Sequence, residues 1–261
     1  MNNNILDKKP KDQLIKHKNN FYRSKLINRN IIDYESCEPF TLKNKDLYFK
    51  VNIKKFTGFE GNKYYTKNNP LVNTAIQLIN NKDLNDNDSY LFNYFNIFQP
   101  KTYGEVYYLN KDNKLHELES TNHFHPWIHK LPTNTFRAGL FGPKDITNVE
   151  IRLIRLKNII NNINEFGYIP SKDDIIEGYI LLKKDDYRFL ITGGHHRIAV
   201  IIAMHMMNIN KDKYEEIIVK YEKKRTNVKI VKEEDVNNWP GVKSGYLSSN
   251  DALEMFNHYF L

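Results

Sequence analysis

The thirteen residues HRIAVIIAMHMMN (196–208) constrain this chain more than any other stretch. From Ile198 to Met204 every residue is apolar, so a helix built from them has no polar face and must be buried on all sides. The flanks say against what. YRFLIT (187–192) is rich in β-branched and aromatic residues and runs into the helix through Gly193 and Gly194, and EEIIVKY (215–221) follows as a second strand. Upstream, GYILLKK (178–184) is a further strand, separated from 187–192 by Asp185 and Asp186, which reads as a hairpin. Before it, ITNVEIRLIRLKNIINNINEFGY (146–168) sets Val149, Leu153, Leu156, Ile160 and Ile163 on one helical stripe. Thr147 and Glu150 have capping-box spacing and Gly167 is a stop signal. Helix, strand, strand, glycine turn, helix, strand is a compact α/β unit with a sheet covered by helices.

The rest of the chain is less regular. LVNTAIQLIN (71–80) and DSYLFNYFNIF (88–98) read as two helices before Pro100, with a loop between them. That loop superficially suggests a calcium site, but it lacks the EF-hand glycine and its twelfth position from Asp83 is Tyr94. Residues 31–68 alternate short apolar pieces with Lys and Asn and carry no clear period. The expected organisation is a basic arm (1–30), an extension packed on the core (31–140), the α/β core (141–232) and a helical C-terminal segment (233–261).

Composition bounds the function classes. The 261 residues are 40% hydrophobic, sufficient for a real core, and include no run of about 18 apolar residues that would span a membrane. The N-terminus lacks the apolar stretch of a secretory signal, so a cytoplasmic protein is expected. Cys37 is the only cysteine, which excludes an intramolecular disulfide and a cysteine-rich zinc site; a structural role is expected for it. The net charge of +8 invites a nucleic-acid partner, but its distribution argues otherwise. Residues 1–70 hold 15 Lys and Arg against 7 Asp and Glu, and the remainder holds 24 against 24. The excess is N-terminal, where a solvated flank is the simpler reading. His116, His123, His125 and His129 raise the question of a metal, yet no acidic or further ligand completes a set, and a loop that packs Trp127 on the core is expected instead.

The chemistry concentrates in ITGGHHRIAV (191–200). Gly193 and Gly194 allow close backbone approach, the following helix offers unpaired N–H groups and the positive end of its dipole, and His195, His196 and Arg197 add donors. That combination suits an anion, a phosphate above all. Arg152 and Arg155 are candidate clamps on a phosphate or anionic substrate, and Asp174 and Glu177 candidates for substrate hydroxyls or magnesium. Glu150 has two roles open to it, a helix cap or a general base.

From Glu150 and Arg152 through the glycine-terminated helix and strand pair to GGHHR opening a second helix, residues 141–222 resemble the ParB N-terminal and sulfiredoxin superfamily. The C-terminal NWPGVKSGYLSSNDALEMFNHYF is also similar to uncharacterised bacterial ParB-like proteins linked to glycan biosynthesis. The resemblance implies a mixed sheet flanked by helices and a turn that binds nucleotide phosphates. Its sulfiredoxin branch has a catalytic cysteine where this chain has His195, which excludes sulfinic-acid reduction. Its DNA-partition branch adds a helix-turn-helix reader, for which the 40 residues after Tyr221 are too few. The free-serine-kinase branch fits best, with Glu150 in the place of its basic glutamate and His196 in the catalytic turn. The expectation is an ATP-dependent (or other nucleotide-dependent) kinase with Mg²⁺ acting on a small hydroxylated metabolite or sugar. The alternative is a DNA-associated ParB-like binding protein or nuclease.

Overall fold

The computed structural model describes residues 30–42, 46–119, 124–133, 142–222 and 228–261. Almost all of the basic arm therefore lies outside the described residues, as does His123. In chain order the elements are β1 (Tyr48–Asn52), β2 (Phe56–Thr57), α1 (Pro70–Asn80), α2 (Tyr90–Ile97), the short α3 (Tyr103–Val106), α4 (Ile146–Phe166), β3 (Ile176–Lys183), β4 (Asp186–Gly193), α5 (His195–Met206), β5 (Glu216–Tyr221), β6 (Ile230–Lys232), the short α6 (Pro240–Lys243) and α7 (Ser249–His258). None of the described helices is long and apolar enough to cross a membrane.

The fold is mixed α/β: one six-stranded mixed sheet flanked by helices. Its order is β1-β5-β3-β4-β2, with β6 pairing the second half of β3. The hairpin read from 178–192 is present as antiparallel β3 and β4, with Lys183 opposite Asp186 and Glu177 opposite Gly193. The irregular stretch 31–68 supplies both edges. β1 runs antiparallel to β5, and two-residue β2 runs parallel to β4 with Thr57 opposite Leu190. β1 does alternate, with Phe49 and Val51 buried between more exposed neighbours, whereas two-residue β2 is too short to show a period.

Alternation along β3 and β4 sends side chains to two cores. Ile176, Ile180, Phe189 and Ile191 join α1, α4 and α5 on one face. There α5 is buried from Ile198 to His205, as a helix without a polar face requires. On the other face Tyr179, Leu181 and Leu190 pack against Trp127, Trp239, Phe256 and Tyr259, so the segments before and after the central unit meet beneath the sheet. Trp127 is buried at the heart of this second core, and Cys37 is buried with Ile32, Ile175 and Ile218 in a small third one.

Local signals explain the helix boundaries. Asn69 caps α1, accepting from the N–H groups of Leu71 (3.1 Å) and Val72 (3.2 Å), and Ser89 caps α2 by accepting from Phe92 N–H (3.2 Å). One boundary differs from the expectation. The cap of α4 is Asp145, two residues before Thr147: its carboxylate accepts from the Asn148 N–H at 2.9 Å. A carboxylate is favoured at the positive end of a helix dipole, so the helix begins at Ile146 and Glu150 falls in its second turn.

Candidate functional site at the start of α5

Because β2 runs parallel to β4, the chain leaves both strands at the same end of the sheet. After β2 it makes a tight turn, with the Gly58 N–H donating to Asn62 O (2.9 Å) and the Gly61 N–H to Gly58 O (3.1 Å), and returns so that the Tyr64 N–H reaches Phe56 O (3.1 Å). Glu60 stands at the tip of this turn. It is three residues beyond Thr57, as Gly193 is three beyond the partner Leu190. After β4 the chain turns at Gly194, whose φ of 92° is a left-handed conformation that a side chain would strain. No side chain caps α5 there, so the positive end of its dipole is left open at the same end of the sheet as the Glu60 turn.

The side chains around that helix end are predominantly cationic. Burial, then the charges of Arg152, His195 and Arg155, push the His196 imidazole down to about 3, so it is neutral near pH 7. Its Nε2 is buried and meets no hydrogen-bond partner among the described residues. Arg152 lies 5.6 Å from the Phe95 ring centroid; burial and Arg155 lower its pKa, while the Glu60 carboxylate and Tyr64 oppose that shift. Burial and Arg152 likewise lower Lys144. His195 Nδ1 is 2.7 Å from the Tyr64 hydroxyl, which burial keeps protonated. Arg197 is held by an ion pair to Asp174, and Glu177 by one of 2.7 Å to Lys220.

The fold therefore gathers Gly193, Gly194, His195, His196, Arg197, Arg152 and Arg155 at one helix terminus. Asp174 positions Arg197, and Glu177 ties β3 to β5. Glu150 lies elsewhere around its helix. At 100° per residue it is rotated about 160° from Arg152 and about 140° from Arg155, on the opposite flank of the buried stripe. The carboxylate whose charge reaches Arg152 and Tyr64 is that of Glu60. Glu60, Tyr64 and Lys144 belong to no motif. The one local hint is GFEG (58–61), two glycines bracketing an acidic residue, the composition of a tight turn.

The Glu60 turn is braced from below. The hydroxyls of Tyr107 and Tyr259 both donate to the Phe59 carbonyl, the latter at 2.7 Å. Tyr259 in turn lies 3.2 Å from His125 Nε2, His125 Nδ1 lies 3.1 Å from the Tyr179 hydroxyl, and the Trp127 indole N–H donates to that hydroxyl at 2.9 Å. The histidine-rich stretch thus enters the second core: His125 stacks between Phe59 and Trp127, and His129 Nδ1 accepts from the His125 N–H at 3.0 Å. His116 lies 3.4 Å from Thr102 Oγ1 and 3.3 Å from Leu109 O. Among the described residues no three His, Cys, Asp or Glu side chains stand together as a metal-binding group.

No family model, curated protein or solved structure matches this chain.

Proposed function

We propose that the protein is a nucleotide-binding phosphotransferase, a kinase that seats nucleotide phosphates at the first turn of α5 and passes a phosphoryl group to a small hydroxylated acceptor. One observation carries the reading. Arg152 and Arg155 converge on His196 at an uncapped, glycine-opened helix N-terminus, leaving a neutral imidazole whose buried Nε2 has no protein partner among the described residues. A phosphate group satisfies this arrangement, because it offers acceptor oxygens to amides, guanidinium groups and imidazole at once. The resemblance of residues 141–222 to the ParB N-terminal and sulfiredoxin superfamily, carried by GGHHR and its flanking elements, supports the same assignment.

ATP or another nucleotide is the phosphoryl donor in this reading. Mg²⁺ bound with the nucleotide would neutralise charge on the phosphate oxygens, and Glu60 is the carboxylate that would stand nearest to it. Arg152, Arg155 and the first-turn amides bind the phosphates and stabilise charge on the transferring group. The acceptor hydroxyl oxygen bonds to phosphorus, its proton passes to a carboxylate, and the bond to the departing diphosphate breaks. Glu60, beside Arg152, is better placed for that proton than Glu150, on the far flank of α4.

The test is a thermal-shift and calorimetric series with inorganic phosphate, ATP, CTP and ADP, each with and without Mg²⁺. A nucleotide should raise the melting temperature by mass action, and exposed Arg155→Ala should weaken it about tenfold with the fold intact. Absence of any nucleotide effect refutes the reading, and salt-sensitive binding of duplex DNA in its place supports a nucleic-acid role. Once an acceptor is found among sugars and hydroxy-amino acids, Glu60→Gln should slow transfer by about 10²–10⁴-fold and Glu150→Gln should leave it unchanged. The reverse outcome makes Glu150 the base.

A further inference from the structure

Beside the Glu60 turn lies a second constellation that phosphate binding does not use. Tyr108 is 76% exposed and has φ of 51°, a left-handed conformation that bulky side chains rarely occupy. A turn at this point would be less strained with glycine or asparagine, and burial gives no reason for a tyrosine. Its ring is neighboured by His258, stacked at 6.4 Å and 27°, and by Phe98, tilted at 6.3 Å. Phe98 meets Tyr94 at 5.2 Å, and the Asn62 side chain acts on the Tyr94 hydroxyl, opposing the upward push of burial on its pKa. The circuit closes at Gly61, where a Cβ would lie 2.2 Å from the His258 ring, so Glu60 and Asn62 stand on either side of the residue that His258 touches. All six side chains of the circuit are at least partly exposed.

We propose that Tyr108, Phe98, Tyr94, Asn62, Glu60 and His258 form the acceptor subsite, and that it takes a polyhydroxylated ring, a sugar or cyclitol. This inference rests on the phosphotransferase reading for the role of the site, though not for its ligand chemistry. An exposed aromatic face suits the apolar C–H face of a saturated ring. A carboxylate, an amide and a phenol at its margin supply acceptors and donors for a set of hydroxyls. His258 adds no charge near pH 7, because burial and the Lys63 ammonium push it down to about 4. Glu60 belongs to both constellations: on one side its charge acts on Arg152 and Tyr64, on the other on Tyr94. A ring lying on Tyr108 with a hydroxyl toward Glu60 would present that hydroxyl to the phosphate side.

The experiment is saturation-transfer NMR and calorimetry on the full chain. The probes are glucose, galactose, N-acetylglucosamine, ribose and myo-inositol, with serine and glycerol as acyclic controls, each with and without ATP and Mg²⁺. At least one cyclic probe should bind saturably, with the strongest transfer to the protons of one ring face. Tyr108→Asn, a residue that tolerates the left-handed backbone, should weaken that probe about tenfold without lowering the melting temperature. Glu60→Gln should weaken the same probe. Inorganic phosphate, added alone, should bind Tyr108→Asn as it binds the parent. Failure of every cyclic probe, preference for serine or glycerol, or equal binding to parent and Tyr108→Asn overturns the proposal. If ATP and phosphate fail to bind while a cyclic probe does, the phosphotransferase reading falls and the ring-binding site stands.

Discussion

The two adjacent glycines of the turn should respond to alanine in opposite ways. At Gly194 the backbone holds φ at 92°, and an added Cβ would lie 3.0 Å from Ile176 Cγ1 and 3.1 Å from Ile176 Cα. The left-handed conformation costs an alanine about 1–2 kcal/mol, and crowding against a backbone atom in the core adds about 1–3 kcal/mol. The sum is about 2–5 kcal/mol, which in a chain of this size lowers the melting temperature by about 4–20 °C. At Gly193 no left-handed φ is required, and the new Cβ would meet only Glu177, at 3.8 Å. There the smaller entropy of the unfolded alanine chain should stabilise by about 0.4–1 kcal/mol. The fold thus gives a reason for Gly194 and none for Gly193, and close approach of a phosphate to the backbone supplies one. Gly193→Ala should melt at or slightly above the parent temperature yet bind ATP and inorganic phosphate about tenfold more weakly. Differential scanning fluorimetry and calorimetry on the two variants measure both quantities. Equal destabilisation of the two variants would refute the steric argument, and unaltered phosphate affinity in Gly193→Ala would refute the backbone approach.

Acidification should destabilise the protein through two imidazoles. His196 and His258 have folded pKa values of about 3 and about 4, below the 6.5 of an unfolded histidine, so the unfolded chain takes up protons first. Their stabilising contribution is fully present above about pH 6.5 and is lost as the pH falls toward 4 and then 3. A melting temperature that declines from about pH 7 to about pH 5, less steeply in His196→Gln, is expected; a flat profile counts against it. Tyr179→Phe leaves the Trp127 indole N–H and the His125 ring without their shared hydroxyl in the second core, and should cost about 1–3 kcal/mol in urea unfolding. A change well below that would show that water or repacking replaces the hydroxyl. Deletion of residues 1–20 should leave ATP affinity unchanged, since the residues gathered at the site lie between Glu60 and Arg197 along the chain; loss of ATP binding would show that the arm completes the pocket.

Much of the α/β unit was legible because its signals are local. The apolar run from Ile198 to Met204 must be buried on all sides, β-branched and aromatic residues mark β3, β4 and β5, and a glycine pair between strand and helix marks the turn. These follow from the periods of the two backbone conformations and need no knowledge of distant residues. The same locality misplaced the start of α4, where Thr147 and Glu150 have the spacing of a capping box. Asp145, two residues earlier, caps the helix instead, and which of two competent residues does so depends on where the preceding chain enters.

The second wall of the site was decided only by the tertiary structure. Tyr64 and His195 are 131 positions apart, and the two-residue strand β2 brings them together by pairing with β4. The hydrogen bonds that fix β2 belong to the partner strand's backbone, which leaves no periodic trace in the sequence of either partner. The turn carrying Glu60 is likewise held by Tyr107 and Tyr259, 48 and 200 positions from Phe59. By itself the sequence determined the helix, the hairpin, the glycine turn and its cationic chemistry, because backbone periodicity and side-chain charge are properties of neighbouring residues. Which carboxylate stands beside the guanidinium groups was decided by folding, since charge–charge interactions depend on distance in space and not on separation along the chain.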